Sequence, residues 1–107
     1  MPLVICRIHG RAGGELLSRT LFEFVKDRAT WGNAPLVRPL TLAFEDIEFP
    51  GYMLDDDIVE VVQLGGVLEG SETYRFTDEE AMESAIGIFT ATCYRCLREL
   101  IASQSKP

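Results

Sequence analysis

Hydrophobic positions follow two periods along this chain. Leu3 to Ile8 is rich in β-branched and apolar side chains and predicts a strand. His9-Gly10-Arg11-Ala12-Gly13-Gly14 predicts a flexible turn. From Glu15 to Arg28 the spacing becomes helical, with Leu17, Leu21, Phe24 and Val25 on one stripe and Leu16 beside it. Ser18 offers an alternative cap that would delay the helix start. Thr30 to Pro35 breaks the pattern as a loop.

A period of two follows. Leu40, Leu42 and Phe44 alternate with Thr41, Ala43 and Glu45, and Ile47 and Phe49 resume beyond Asp46. This predicts a hairpin reversing at Glu45-Asp46, then a turn or bulge at Pro50-Gly51 and an extended path over Tyr52–Leu54. Asp55 to Leu64 reads as a short helix, with three aspartates to start it and Gly65 to stop it, against the strand propensity of Ile58-Val59 and Val61-Val62. Val67 to Phe76 predicts a strand interrupted at Gly70. Thr77-Asp78-Glu79-Glu80 forms a capping box. Met82, Ile86, Phe89, Cys93, Leu97 and Leu100 then recur at helical spacing, predicting one helix from about Asp78 to Ala102 and a frayed tail over Ser103–Pro107.

These elements predict an α+β fold: a mostly antiparallel sheet of four to five strands, with an N-terminal helix and a long C-terminal helix packed on one face. The 107 residues fit a single globular domain spanning 1–107. Such a chain buries roughly two-thirds of its unfolded surface, so neither metal nor disulfide is required to build a core. The apolar run at the start, Leu3 to Cys6, is too short for a signal-peptide core, and no run suffices for a membrane span. Three cysteines, an odd number, suit a reducing compartment. The expected location is cytoplasmic, with no membrane contact.

Charge sharpens this picture. The net charge is −7, but the segment from Glu45 to Glu83 holds thirteen acids against Arg75 alone, a local −12, and the flanks carry +5. That field disfavours direct nucleic-acid binding and favours a basic protein partner. Acids bracket aromatics within it, and Glu48, Tyr52, Asp55, Asp56, Asp57, Glu60, Glu72 and Tyr74 are the candidate partner-binding residues.

Candidate chemistry is sparse. Cys6-x-x-His9 and Cys93-x-x-Cys96 together supply four legal zinc ligands. Two expectations weigh against a site. A regular strand would point Cys6 and His9 to opposite faces, and a continuous helix would make Cys93 a core position with Cys96 beside it. The same helix removes the N-terminal dipole that a redox dithiol uses. His9 is the single histidine and the one candidate base; the spacing does not bring Cys6 to it, and Cys93 or Ser18 could meet it only through the fold. The Gly10–Gly14 stretch matches no phosphate loop, and Asp55–Asp57 lacks the glycine and closing acid of a calcium loop.

No cofactor and no catalytic constellation are therefore expected, and no motif is specific enough to name a family. The expected function is non-enzymatic: an acidic binding protein, in its sharpest form an immunity protein or inhibitor that neutralises a basic toxin such as a nuclease. The same charge would suit a DNA mimic. The alternatives are an adaptor or secretion-chaperone-like subunit pairing through its apolar helix stripe, and a small metal protein built on Cys6, His9, Cys93 and Cys96.

Overall fold

The structure, a computed structural model, describes residues 3–33 and 35–104. Strand β1 (Leu3–Cys6) turns through Arg7-Ile8-His9 into β2 (Gly10–Ser18). Helix α1 (Arg19–Lys26) and a 3-10 turn (Arg28–Asn33) follow. Strands β3 (Val37–Phe44) and β4 (Ile47–Leu54) form the predicted hairpin, with Phe44 paired to Ile47 and Glu45 in the left-handed region at φ 53°. A 3-10 turn over Asp55–Asp57 leads into α2 (Ile58–Gln63), so the helical reading of this segment holds. Then come β5 (Val67–Glu69), β6 (Thr73–Phe76), α3 (Glu79–Ile86), β7 (Phe89–Cys93) and α4 (Tyr94–Gln104). Of the expected tail, Ser103 and Gln104 belong to α4, and 105–107 lie outside the described residues, as does Ala34 of the expected loop.

The fold is α+β, but the sheet is mixed and has seven strands rather than four or five. Its order is β1-β2-β4-β3-β6-β5, with β7 also on β2. The β2–β4 and β3–β6 pairs are parallel, and the other pairs are antiparallel. The glycines expected as a flexible turn lie inside β2, because β1 pairs along Gly10–Gly13 and β7 continues along Gly14–Ser18. The helix expected from Glu15 therefore starts at Arg19. Ser18 is its cap: the fully buried hydroxyl accepts a hydrogen bond from the Leu21 N–H at 3.3 Å.

Pro50 and Gly51 do not turn the chain either. Thr41 donates its N–H to Glu72 of the β5–β6 turn, away from its partner Pro50, so the ladder asks no donor of the proline. Gly51 is buried, and a Cβ there would stand 3.0 Å from the Leu16 carbonyl and 3.1 Å from the Phe89 ring. The expected bend is a close approach of strands.

The largest departure is at the C-terminal end. The single helix breaks into α3, β7 and α4. Gly87 caps α3, and the β-branched run Ile88-x-Thr90-x-Thr92 takes the strand that β2 offers it. The cap of α3 is Asp78, whose carboxylate accepts from the Glu80 N–H at 3.2 Å, rather than the Thr77–Glu80 box. The predicted stripe is buried, apart from the half-buried Ile86, yet divided. Met82 and Phe89 join a core with Leu40, Leu42, Met53, Val61 and Phe76, whereas Cys93, Leu97 and Leu100 join another with Leu17, Leu21, Val25 and Leu54. Successive residues Met53 and Leu54 enter different cores, which places the cores on opposite faces of the sheet. Helices α1 and α4 thus cover one face and α2 and α3 the other, not one face alone. Each fully buried leucine in these cores contributes about 1.5–3 kcal/mol.

Candidate metal centre

Four side chains from two segments of the chain meet at one corner of the α1–α4 face. Cys6 ends β1. His9 closes the turn that follows, and Gly10 beyond it takes φ 70°, letting the imidazole swing back toward Cys6. Cys93 ends β7, and Cys96 sits in the first turn of α4. Both grounds for setting the four aside fail on geometry. The strand stops before His9, so strand alternation does not apply. The strand-to-helix junction falls between Cys93 and Cys96, so they are not interior residues of one helix.

The atoms converge on a point. The Nδ1 atom of His9 is 3.6 Å from Cys6 Sγ, 3.5 Å from Cys93 Sγ and 3.5 Å from Cys96 Sγ. Cys6 Sγ and Cys96 Sγ are 3.5 Å apart, and all four ligand atoms lie within 4.8 Å of one another. With Zn–S of about 2.3 Å and Zn–N of about 2.0–2.1 Å, a tetrahedron has S–N edges of about 3.6 Å and S–S edges of about 3.8 Å. The three observed S–N distances match. One imidazole nitrogen makes a single hydrogen bond, so three sulfurs about it exceed what hydrogen bonding can use.

The surroundings prepare the ligands. The backbone N–H groups of His9 and Ile8 point at Cys6 Sγ, the latter at 3.4 Å, and lower its thiol from 9.0 to about 6 against the opposing effect of burial. Burial, then the hydrogen bond to Cys6, pushes Cys96 up to about 12. Hydrogen bonding thus favours the thiolate at Cys6, and burial disfavours it at Cys96. Beyond the ligands, His9 Nε2 lies 3.4 Å from Glu99 Oε1, one helical turn after Cys96. Arg28 donates to the same oxygen at 2.6 Å and holds the Glu99 carboxyl below the usual carboxylate range. Arg28 also reaches Cys96 Sγ at 4.0 Å and lies 4.7 Å over the Trp31 ring. Neither Arg28 nor Glu99 stood out in the sequence. The one available signal was Cys96-x-x-Glu99, whose spacing puts both residues on one helix face but does not by itself bring His9 or Arg28 to it.

The partner-binding candidates do not meet in this way. Tyr74 is buried in the core on the α2–α3 face, and Tyr52 is half-buried against the other core. Neither is an exposed anchor. Asp55 pairs with Arg38 at 3.2 Å, and Asp57 accepts a hydrogen bond from Thr20. Glu48, Asp56, Glu60 and Glu72 are exposed, and the carboxylates of Asp56, Glu60 and Glu72 make no ion pair among the described residues. No described helix is long and apolar enough to cross a membrane. No protein-family model, curated protein or solved structure matches the chain.

Proposed function

We propose that this protein is a zinc-binding module in which Cys6, His9, Cys93 and Cys96 hold one Zn²⁺ in a closed, structural site. The observation that carries this reading is the convergence of three sulfurs on His9 Nδ1 at 3.5–3.6 Å. Thiolate and imidazole ligands suit a borderline-soft cation, and four protein ligands leave no open position for substrate. The metal's work is to tie β1 and its turn to the β7–α4 junction. Glu99 supplies the carboxylate that orients the free face of a ligating histidine, as outer-shell partners of zinc histidines do.

Elemental analysis of protein purified without chelator or added metal tests this. One equivalent of zinc is expected, and Co²⁺ exchange should give the intense visible and thiolate charge-transfer bands of a tetrahedral sulfur-rich site. Metal-free, fully folded protein that takes up no Co²⁺ would end the proposal.

The acidic segment supports a second reading, recognition of a basic protein such as a toxin domain. The carboxylates of Asp56, Glu60 and Glu72 favour it, being exposed and outside any ion pair among the described residues. Capture from the native host should recover one basic partner whose association slows with salt. Replacing Asp56 and Glu60 with Ser should slow it further, and an unchanged on-rate would reject steering by these acids.

A further inference from the structure

A cavity of about 690 Å³ opens at the four-ligand corner, between the β1 turn, α1 and β7, with Cys6, Cys93 and Cys96 in its wall. That volume is in the range of small-molecule sites, about 300–1,000 Å³. The charge around it is the reverse of the protein's own. The chain carries 17 aspartates and glutamates and a net charge of −7, yet no carboxylate lines this cavity, whereas Arg7, Lys26 and Arg28 all do.

These three cations are not equivalent. Arg28 is held by Glu99 at 2.6 Å, and Lys26 by Glu23 at 3.2 Å. Arg7 is exposed and makes no ion pair among the described residues. Between them the wall is hydrocarbon and ring: Phe22 half-buried, Val25 buried, and Ile8 62 % exposed at the rim. An exposed isoleucine beside a guanidinium outside any ion pair among the described residues offers an amphiphile an apolar and a charged contact together.

We propose that this cavity binds a small carboxylate bearing a hydrocarbon body, with the carboxylate on the guanidinium fork of Arg7 and the hydrocarbon against Phe22, Val25 and Ile8. A planar fork facing a carboxylate gives two parallel charge-assisted hydrogen bonds. A polyanion is disfavoured, because the field of a −7 protein repels it beyond the cavity mouth. Cys6, Cys93 and Cys96 are shared with the four-ligand corner, whereas Arg7, Ile8, Phe22 and Val25, which carry the proposal, lie outside the ligand set.

Isothermal titration of the full chain tests this, using octanoate, 1-octanol and acetate as probes at equal metal content. Octanoate should bind at one site, about tenfold or more tighter than either 1-octanol or acetate, the scale of one charge-assisted contact. Arg7→Gln should remove most of the octanoate advantage and leave 1-octanol unaffected. Phe22→Ser should weaken octanoate and 1-octanol together. Circular dichroism checks that both variants are folded. Absence of saturable octanoate binding, equal affinity for 1-octanol, or an Arg7→Gln variant that binds octanoate like the parent would each overturn the proposal.

Discussion

Removing the metal should lower the melting temperature by an amount set by chain topology. Cys6 and Cys96 are 90 residues apart in sequence and 3.5 Å apart in space. In the folded chain that loop is already closed by the sheet. In the unfolded chain a metal bound to both ends must close it. For a loop of this length the entropy of closure is worth about 4.5 kcal/mol at 25 °C. By linkage, saturating zinc therefore stabilises the folded state by about that amount relative to an unfolded chain that also binds it. For a chain near 100 residues, each kcal/mol moves the midpoint by about 4–5 °C, so a shift of about 20 °C is expected.

The assay is calorimetry at neutral pH on loaded protein, on protein stripped by chelator, and on stripped protein given back one equivalent. Metal content is measured in each sample. The stripped protein should stay folded at low temperature, because the α2–α3 core holds none of the four ligands and Leu17, Leu21, Leu97 and Leu100 keep the other core buried, but β1 should lose hydrogen-exchange protection first. Cys6→Ser should melt near the stripped protein whether or not zinc is added. A shift under about 5 °C, with one equivalent verified before and none after stripping, would refute the claim that the site staples distant parts of the chain.

Three other outcomes follow from the same geometry. Glu99→Gln should weaken zinc by about tenfold, the low end of the range for outer-shell carboxylates, because its contact to His9 is long at 3.4 Å; a competing chromophoric chelator measures this, and parent affinity would remove Glu99 from the positioning role. Zinc uptake at pH 7 should release at least the Cys96 proton, since that thiol, pushed up to about 12, is protonated there, whereas Cys6 at about 6 is already largely thiolate. Affinity should accordingly fall as pH falls, and titration in buffers of different ionisation enthalpy that finds no proton released would contradict the assignment. Ser18→Ala should cost about 1–2 kcal/mol in urea unfolding by uncapping α1, and a loss under about 0.3 kcal/mol would show that the cap does not hold the strand-to-helix junction.

Local chemistry was legible in the chain wherever a residue's neighbours decide its conformation. The Phe44–Ile47 reversal, the short helix after Asp55-Asp56-Asp57 and the cap at Ser18 each rest on turn or capping chemistry within a few residues. The four ligand types and their two short spacings were legible too. Misreadings arose where a pattern suited two structures. Met82, Phe89, Cys93 and Leu97 are spaced for a helix, yet Phe89 and Cys93 also fit a strand, and the open edge of β2 selected the strand. The glycines at 10, 13 and 14 allow a flexible turn, but β1 and β7 pair with them.

The sequence by itself determined the residue chemistry of this protein: its acidic middle, its capped helices, and two pairs of soft ligands. Tertiary structure decided that the pairs are one site, because convergence depends on where β1 ends, where α4 begins and which strand lies between them. Those positions follow from sheet pairing across up to 79 residues of chain, from Gly14 to Cys93, a separation over which local periodicity carries no information. The CYRC stretch at Cys93–Cys96 is half of a candidate centre only because β2 pairs with β7 and breaks the helix that its own spacing implies.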